Sequence, residues 1–390
     1  MYSFAALPGT IEQLLTGSTS GSTMPLEGFD ERYERVLLVY LDAFGWKFVE
    51  RHAEHPLLVR ARAEGSLLKF RSQFPSTTTA HATTLQSGLP VGVHGLYEWF
   101  ILEPSLDRLI APLLFSYAGD AEAHTLVGDG FSPAALFPAE TLHMRLAAAG
   151  VRCVGAVPRG IAHTVPNEAL TRGAEIVGFD DPAGGFAGVA EALAESERVY
   201  ASVYLPSFDA LMHVLGPESP DADSELVTLL GQIEDGFALA PDGTLLLVVS
   251  DHGMSPVSPE RTTYVNVAWP ELEQHLRRGA DGKPLAPGGS CRDLFLHVLP
   301  GHVDEVVDGL SERIGGVADV VRTQTLVDEG TFGAELSDAF LARLAEVLVL
   351  PHVGEAAYWL EPLRFEQRFL GQHGGLSPDE MDIPLLALVR

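Results

Sequence analysis

Residues 35–45 read RVLLVYLDAFG, an unbroken apolar stretch that halts at Asp42 and Gly45. Apolarity without alternation marks a strand covered on both faces, as in the centre of a parallel sheet, and the aspartate and glycine mark the loop at its carboxyl end. Three later runs repeat the form: VRCVGAVPRG (151–160), RVYASVYLPSFD (198–209) and TLLLVVSDHG (244–253). Helical patterns such as LFPAETLHMRLAAAG (136–150) and LVTLLGQIEDGFALA (226–240) lie between them. Strands alternating with helices predict an α/β fold, a mostly parallel central sheet with helices on both faces. Functional groups gather at the carboxyl ends of such strands, and three of the four runs end in acidic residues.

Outward from this core, GSTSGSTMPLEG (17–28) is small and polar, so residues 1–30 are expected to form an arm before the domain proper, which spans 31–390. Residues 255–370 have a different character. Strand-like RDLFLHVL (292–299), helical HVDEVVDGLSERIG (302–315) and LSDAFLARLAEVLV (336–349), and the link GADGKPLAPGGS (279–290) predict an inserted α+β subdomain. GQHGGLSPDEMDIPLLALV (371–389) then returns to the core as a loop and a final strand.

Composition narrows the function. With 25 Lys and Arg against 53 Asp and Glu, the net charge is −28, which argues against a nucleic-acid polymer or an anionic membrane as partner. Two cysteines, Cys153 and Cys291, make a disulfide framework unlikely to be the basis of the fold and favour a reducing compartment. MYSFAALPGTIEQLL (1–15) lacks a basic start followed by a long apolar core, and no apolar run reaches the ~18 residues that span a bilayer. A soluble, cytoplasmic protein is expected.

Acidic strand ends are usually turn formers or helix caps, so Asp42 alone is weak evidence of a ligand. In SFDALMH (207–213), Asp209 and His213 are four apart and share a face if a helix begins there, which suits two ligands on one metal. In SDHG (250–253), Asp251 and His252 can both turn toward one cation. With His373 in QHGG (372–375) the chain offers three carboxylates and three imidazoles, the inventory of two nitrogen/oxygen zinc sites. FPSTTTAHATTLQSG (74–88) adds a hydroxyl cluster at a helix start, where free N–H groups and the positive dipole end face outward.

In order and character these motifs resemble the alkaline phosphatase superfamily, most closely its nucleotide pyrophosphatase/phosphodiesterase-like (type I phosphodiesterase) members. The resemblance covers about residues 35–260 and 370–390 and implies the alkaline phosphatase-like fold. It implies one zinc held by Asp209, His213 and His373 and another held by Asp42, Asp251 and His252. Thr78, ten residues before Gly88 and three after Pro75, falls at the family's nucleophile position, with Thr77 and Thr79 as flanking residues. The implied reaction is hydrolysis of a small phosphate ester, a nucleotide among the candidates, through a covalent phosphoryl-threonine. Two dications would let an acidic protein bind an anionic substrate. His81 stands where the family pattern has an asparagine that donates to a phosphoryl oxygen, and both that role and a structural one are open to it. His94 in GVHGLYEW (92–99) matches a structural turn. Neither cysteine lies in a sulfatase motif. Phosphomonoesterase and phosphonate hydrolase remain alternatives with the same site, as does a non-catalytic metal- or phosphate-binding protein. The aromatic run LYEWF (96–100) is either core or a wall beside the leaving group.

Overall fold

A computed structural model describes residues 2–19, 21–29 and 32–390. Its centre is a sheet of seven strands: β1 (Arg35–Leu41), β2 (Ser66–Arg71), β3 (Arg152–Pro158), β4 (Glu175–Phe179), β5 (Val199–Leu205), β6 (Leu245–Val249) and β7 (Asp382–Val389). The order is β2-β7-β6-β1-β5-β3-β4. Strands β6, β1, β5, β3 and β4 run parallel, and β7 is antiparallel to both β6 and β2. All four apolar runs read as buried strands are therefore strands, and RVLLVYL lies at the centre.

Its period-two geometry divides the core. Leu37, Val39 and Leu41 pack in one apolar cluster with the helices Pro182–Glu195 and Pro220–Ala238. Val36, Leu38 and Tyr40 pack in the other, with Leu142 and Leu146 of the helix Leu142–Ala148. That second face is also covered by the helix Leu7–Thr16, through Leu7, Ile11, Leu14 and Leu15, joined by Phe4. The expected arm is thus corrected: its first half is a core element, because apolar residues recur at helical spacing and bury one side. The expected boundary at residues 30 and 31 lies outside the described residues.

A second apolar cluster system holds the region between β6 and β7. Gly288–Gly289, Leu294–Leu296, Ala318–Arg322 and Val347–Pro351 form a four-stranded sheet, packed against the helix Val303–Ile314. LSDAFLARLAEVLV is not helical throughout. The helix stops at Arg343, and the β-branched Val347 and Val349 enter the sheet opposite Leu296 and Leu294. A small sheet of Ile101–Glu103, Arg108–Ala111 and Ser116–Tyr117 contributes Leu102 and Leu109 to the same lobe, and Ala118 follows its last strand into it. Strands this short carry too few alternations to be read from sequence. No helix among the described residues is long and apolar enough to cross a membrane.

Candidate active site

The three aspartate-bearing strand ends converge. β1 and β5 are paired up to Leu41 and Leu205, and the Asp42 N–H donates to the Leu205 carbonyl at 3.1 Å, which carries the ladder to the first acidic residue. β6 ends one strand away at Asp251 and His252. The helix Ser207–Leu215 begins directly after β5 and places Asp209 and His213 one turn apart, with Nε2 of His213 3.3 Å from Oδ2 of Asp209. His373 arrives on the loop before β7 and stacks on His252 with ring centroids 3.6 Å apart. Close backbone approach fixes the loops. A side chain on Gly253 would lie 2.0 Å from the Asp379 carbonyl oxygen, and Gly253 also touches Gly45, so both loop-ending glycines are needed.

Two groups of possible ligands result, Asp209/His213/His373 and Asp42/Asp251/His252, as the sequence grouping had them. Whether they suit cations follows from their lone pairs. His213 Nδ1 donates to the Gly371 carbonyl, His252 Nδ1 to the Gly253 carbonyl and His373 Nδ1 to the Ser76 carbonyl, each at 2.9 Å. A carbonyl only accepts, so in each neutral ring Nε2 carries the lone pair. His252 Nε2 lies 3.2 Å from Oδ2 of Asp251 and 3.4 Å from Oδ1 of Asp42. His373 Nε2 lies 3.7 Å from Oδ1 of Asp209. Asp42 Oδ1, Asp209 Oδ1 and Asp251 Oδ2 are buried without a hydrogen-bond partner. Acceptors converging in a buried site fit divalent cations, and in the pair of Asp209 and His213 a proton on the imidazole also fits, since burial lowers the His213 pKa but the carboxylate raises it above the ordinary value. Burial pushes the Asp42 carboxyl well above its ordinary range, with the Asp251 and Asp209 charges adding to the effect. Although burial pushes Asp209 up as well, His213, with His373 and His252 behind it, holds it below its ordinary value.

The helix Thr78–Ser87 supplies the hydroxyl. Thr77 is its N-cap: Oγ1 accepts from the Ala80 N–H and donates to the Tyr97 carbonyl. Thr79 is buried. Thr77 also borders the larger cleft, but Thr78 alone of the three is partly exposed and lines two clefts, with Oγ1 3.2 Å from His252 Nε2. It lies between two clefts. One, of about 510 Å³, also reaches Trp99, Asp209, His213 and His373. The other, of about 330 Å³, has an apolar wall including Leu113, Leu114, Ile161 and Leu170. Thr78, Trp99 and Asp209 belong to both. The aromatic run thereby divides: Trp99 is a cleft wall, whereas Tyr97 is buried against Phe295 and Phe340.

His81 is corrected to a structural residue. Its Nε2 accepts from the Gln73 N–H at 2.8 Å, its Nδ1 donates to the Thr77 carbonyl at 2.7 Å, and burial pushes its pKa down to about 4. Both nitrogens serve the backbone, and the ring meets the edge of Phe4 rather than a cleft. His94 likewise accepts from the Leu96 N–H and contacts Thr84 Oγ1, as a turn residue would.

Sequence reasoning missed Glu98 and Asp293. Both are fully buried, and Glu98 lines the larger cleft beside Thr78. Burial pushes Glu98 up to about 8, and burial together with the Glu98 charge pushes Asp293 well above its usual range. Asp293 accepts from the Ser290 hydroxyl at 2.6 Å, and that hydroxyl touches the His373 carbonyl. The only sequence signal was an acid inside an aromatic run. Between pH 4.5, the ordinary value for Glu, and about 8, the folded protein keeps a proton on Glu98 that the unfolded chain has released. Stability therefore falls as pH rises through that window, by up to about 1.4 kcal/mol per pH unit for one proton. Urea unfolding across the window is expected to give a shallower decline for Glu98→Gln than for wild type. Equal slopes would contradict the protonated state.

The sequence profile of the type I phosphodiesterase / nucleotide pyrophosphatase family matches residues 36–375. No curated protein matches the sequence. Among solved structures, an inactive variant of murine ectonucleotide pyrophosphatase/phosphodiesterase 5 in complex with AMP superimposes with a TM-score of 0.67 at 16% identity, covering 91% of this chain and 88% of that one. The human counterpart gives 0.66 at 18% identity, covering 91% and 87%. Phosphonoacetate hydrolase from Sinorhizobium meliloti in complex with phosphonoacetate gives 0.64 at 18% identity, covering 95% and 94%. The chain belongs to the type I phosphodiesterase / nucleotide pyrophosphatase family of the alkaline phosphatase superfamily and is a phosphoric ester hydrolase.

Proposed function

We propose that the protein hydrolyses phosphodiester or nucleotide pyrophosphate bonds with Thr78 as nucleophile. The observation that carries this reading is the position of Thr78 between two clefts, since a phosphorus held there has room for an ester substituent on either side. A phosphomonoester needs only one. Among the described lining residues, Arg364 alone is a permanent cation, and it is paired with Glu361 at 2.7 Å, which leaves little to recognise the carboxylate of a phosphonate such as phosphonoacetate.

Asp209, His213 and His373 would hold one divalent cation and Asp42, Asp251 and His252 a second, with zinc suited to such mixed imidazole and carboxylate sets. When bound, such ions polarise phosphoryl oxygens and lower the pKa of a hydroxyl. The chain's own groups do the rest. The first helical N–H groups, of Thr78 and Thr79, have no carbonyl one turn earlier in the helix and orient a phosphoryl oxygen. The Thr78 hydroxyl gives up its proton to solvent, and its oxygen forms a bond to phosphorus as the bond to the leaving oxygen breaks, giving a phosphoryl-threonine that water then cleaves. Trp99 covers the substituents. A threonine is also at issue in the murine neighbour, whose inactive variant carries alanine in place of one.

The test compares bis(4-nitrophenyl) phosphate with 4-nitrophenyl phosphate. The expected kcat/KM favours the diester by at least about tenfold, roughly 1.4 kcal/mol of transition-state binding. Preference for the monoester would favour the phosphomonoesterase alternative.

A further inference from the structure

Away from the strand ends, His275, His302 and Glu305 bring three ligand atoms together. His275 ends the short 3₁₀ turn Pro270–Gln274, His302 precedes the helix Val303–Ile314, and Glu305 lies in that helix's first turn. Nδ1 of His275 is 3.2 Å from Nδ1 of His302. Oε2 of Glu305 is 3.1 Å from the second nitrogen and 3.5 Å from the first.

With Glu305 ionised, no placement of protons makes all three contacts favourable. If both Nδ1 atoms carry hydrogens, both can donate to the carboxylate, but the two N–H groups then oppose each other. If only one does, it can donate to both neighbours, but the other nitrogen then presents a lone pair to the carboxylate. If neither does, three acceptors meet. A cation at the centre satisfies all three lone pairs. The size is close, since zinc bonds of about 2.0–2.2 Å in a tetrahedron place neighbouring ligand atoms roughly 3.3–3.6 Å apart, a few tenths of an ångström wider than the cluster stands.

The surroundings already hold His275 in place. The Leu299 N–H donates to the His275 carbonyl at 2.8 Å, and the Trp269 ring lies 5.1 Å from the His275 ring. His302 and Glu305 are partly exposed, which leaves a fourth position open to water. We infer that these three residues form a third metal site, for zinc or a similar divalent transition metal, which clamps the 3₁₀ turn to the start of the helix in the second lobe. It is separate from the cations proposed for the catalytic centre.

The test is metal content. Untagged full-length wild type, His302→Ala and Glu305→Ala are equilibrated with zinc buffered in the nanomolar range, and bound zinc per chain is measured by elemental analysis. Wild type is expected to hold one zinc per chain more than either variant, whatever the occupancy of the catalytic centre, with kcat unchanged. Both substitutions are at partly exposed positions, and unchanged circular dichroism confirms folding. Equal zinc in wild type and both variants overturns the inference. Loss of all zinc in the variants would also overturn it, since the site would then not be separate.

Discussion

Thr78→Ala is expected to lower turnover of a phosphodiester by at least about four orders of magnitude, the scale at which removal of a nucleophile acts in covalent catalysis. The three consecutive threonines differ in what their hydroxyls do. Thr77 caps the helix and binds the Tyr97 carbonyl, Thr79 is buried, and Thr78 stands between the clefts beside His252. Alanine at 78 removes the oxygen proposed to attack phosphorus and no cap, so unfolding free energy should move by no more than about 0.5 kcal/mol. Thr77→Ala should do the reverse, costing about 1 kcal/mol of stability through the lost cap. Thr78→Ser keeps an oxygen at the same carbon and should retain measurable turnover. A Thr78→Ala enzyme within tenfold of wild type would remove Thr78 as the nucleophile.

The second large effect is on stability. Arg292 and Glu380 form a buried pair, with Nε and a terminal nitrogen of the guanidinium each 3.0 Å from a carboxylate oxygen. Glu380 also accepts from the Gly375 N–H at 3.0 Å and the Ser377 hydroxyl at 2.6 Å, and Arg292 reaches the His352 carbonyl at 2.8 Å. The pair thus ties the inserted lobe to the loop that carries His373. Glu380→Ala leaves a guanidinium buried without its counter-charge and should cost about 3–5 kcal/mol. Arg292→Met with Glu380→Leu removes both charges and should recover part of that loss, because desolvation of the pair is removed too. Both variants are compared by denaturant unfolding, and a loss below about 1 kcal/mol for Glu380→Ala would show that the pair does not hold the loop.

What could be read in the sequence was what long, regular elements carry. Between Arg35 and Asp42, RVLLVYLD carries no charged residue and is rich in β-branched and aromatic side chains, the pattern of a strand buried on both sides, and the Asp and His residues after such strands fall where a parallel sheet collects them. The N-terminal helix was equally legible in principle, since Phe4, Leu7, Ile11, Leu14 and Leu15 share a helical face, but the Gly- and Ser-rich stretch after it suggested an arm. His81 could not be placed from spacing. Thr78, Ala82 and Gln86, at four-residue intervals, face the smaller cleft, while His81 turns toward Ser72 and Gln73 at the end of β2, a contact between distant elements. Glu98 and Asp293 come from separate segments, and their mutual effect exists only after folding.

The most direct test of the account is the modification state of Thr78 during turnover. Wild-type enzyme mixed with bis(4-nitrophenyl) phosphate is quenched in acid within one turnover, digested and analysed by mass spectrometry. The account predicts that the peptide containing Thr78 gains one nitrophenyl-phosphoryl group, located on that threonine by fragmentation and absent in Thr78→Ala. A Thr78 peptide that stays unmodified while nitrophenolate is released in a stoichiometric burst, or a phosphoryl group found on another residue, would contradict it.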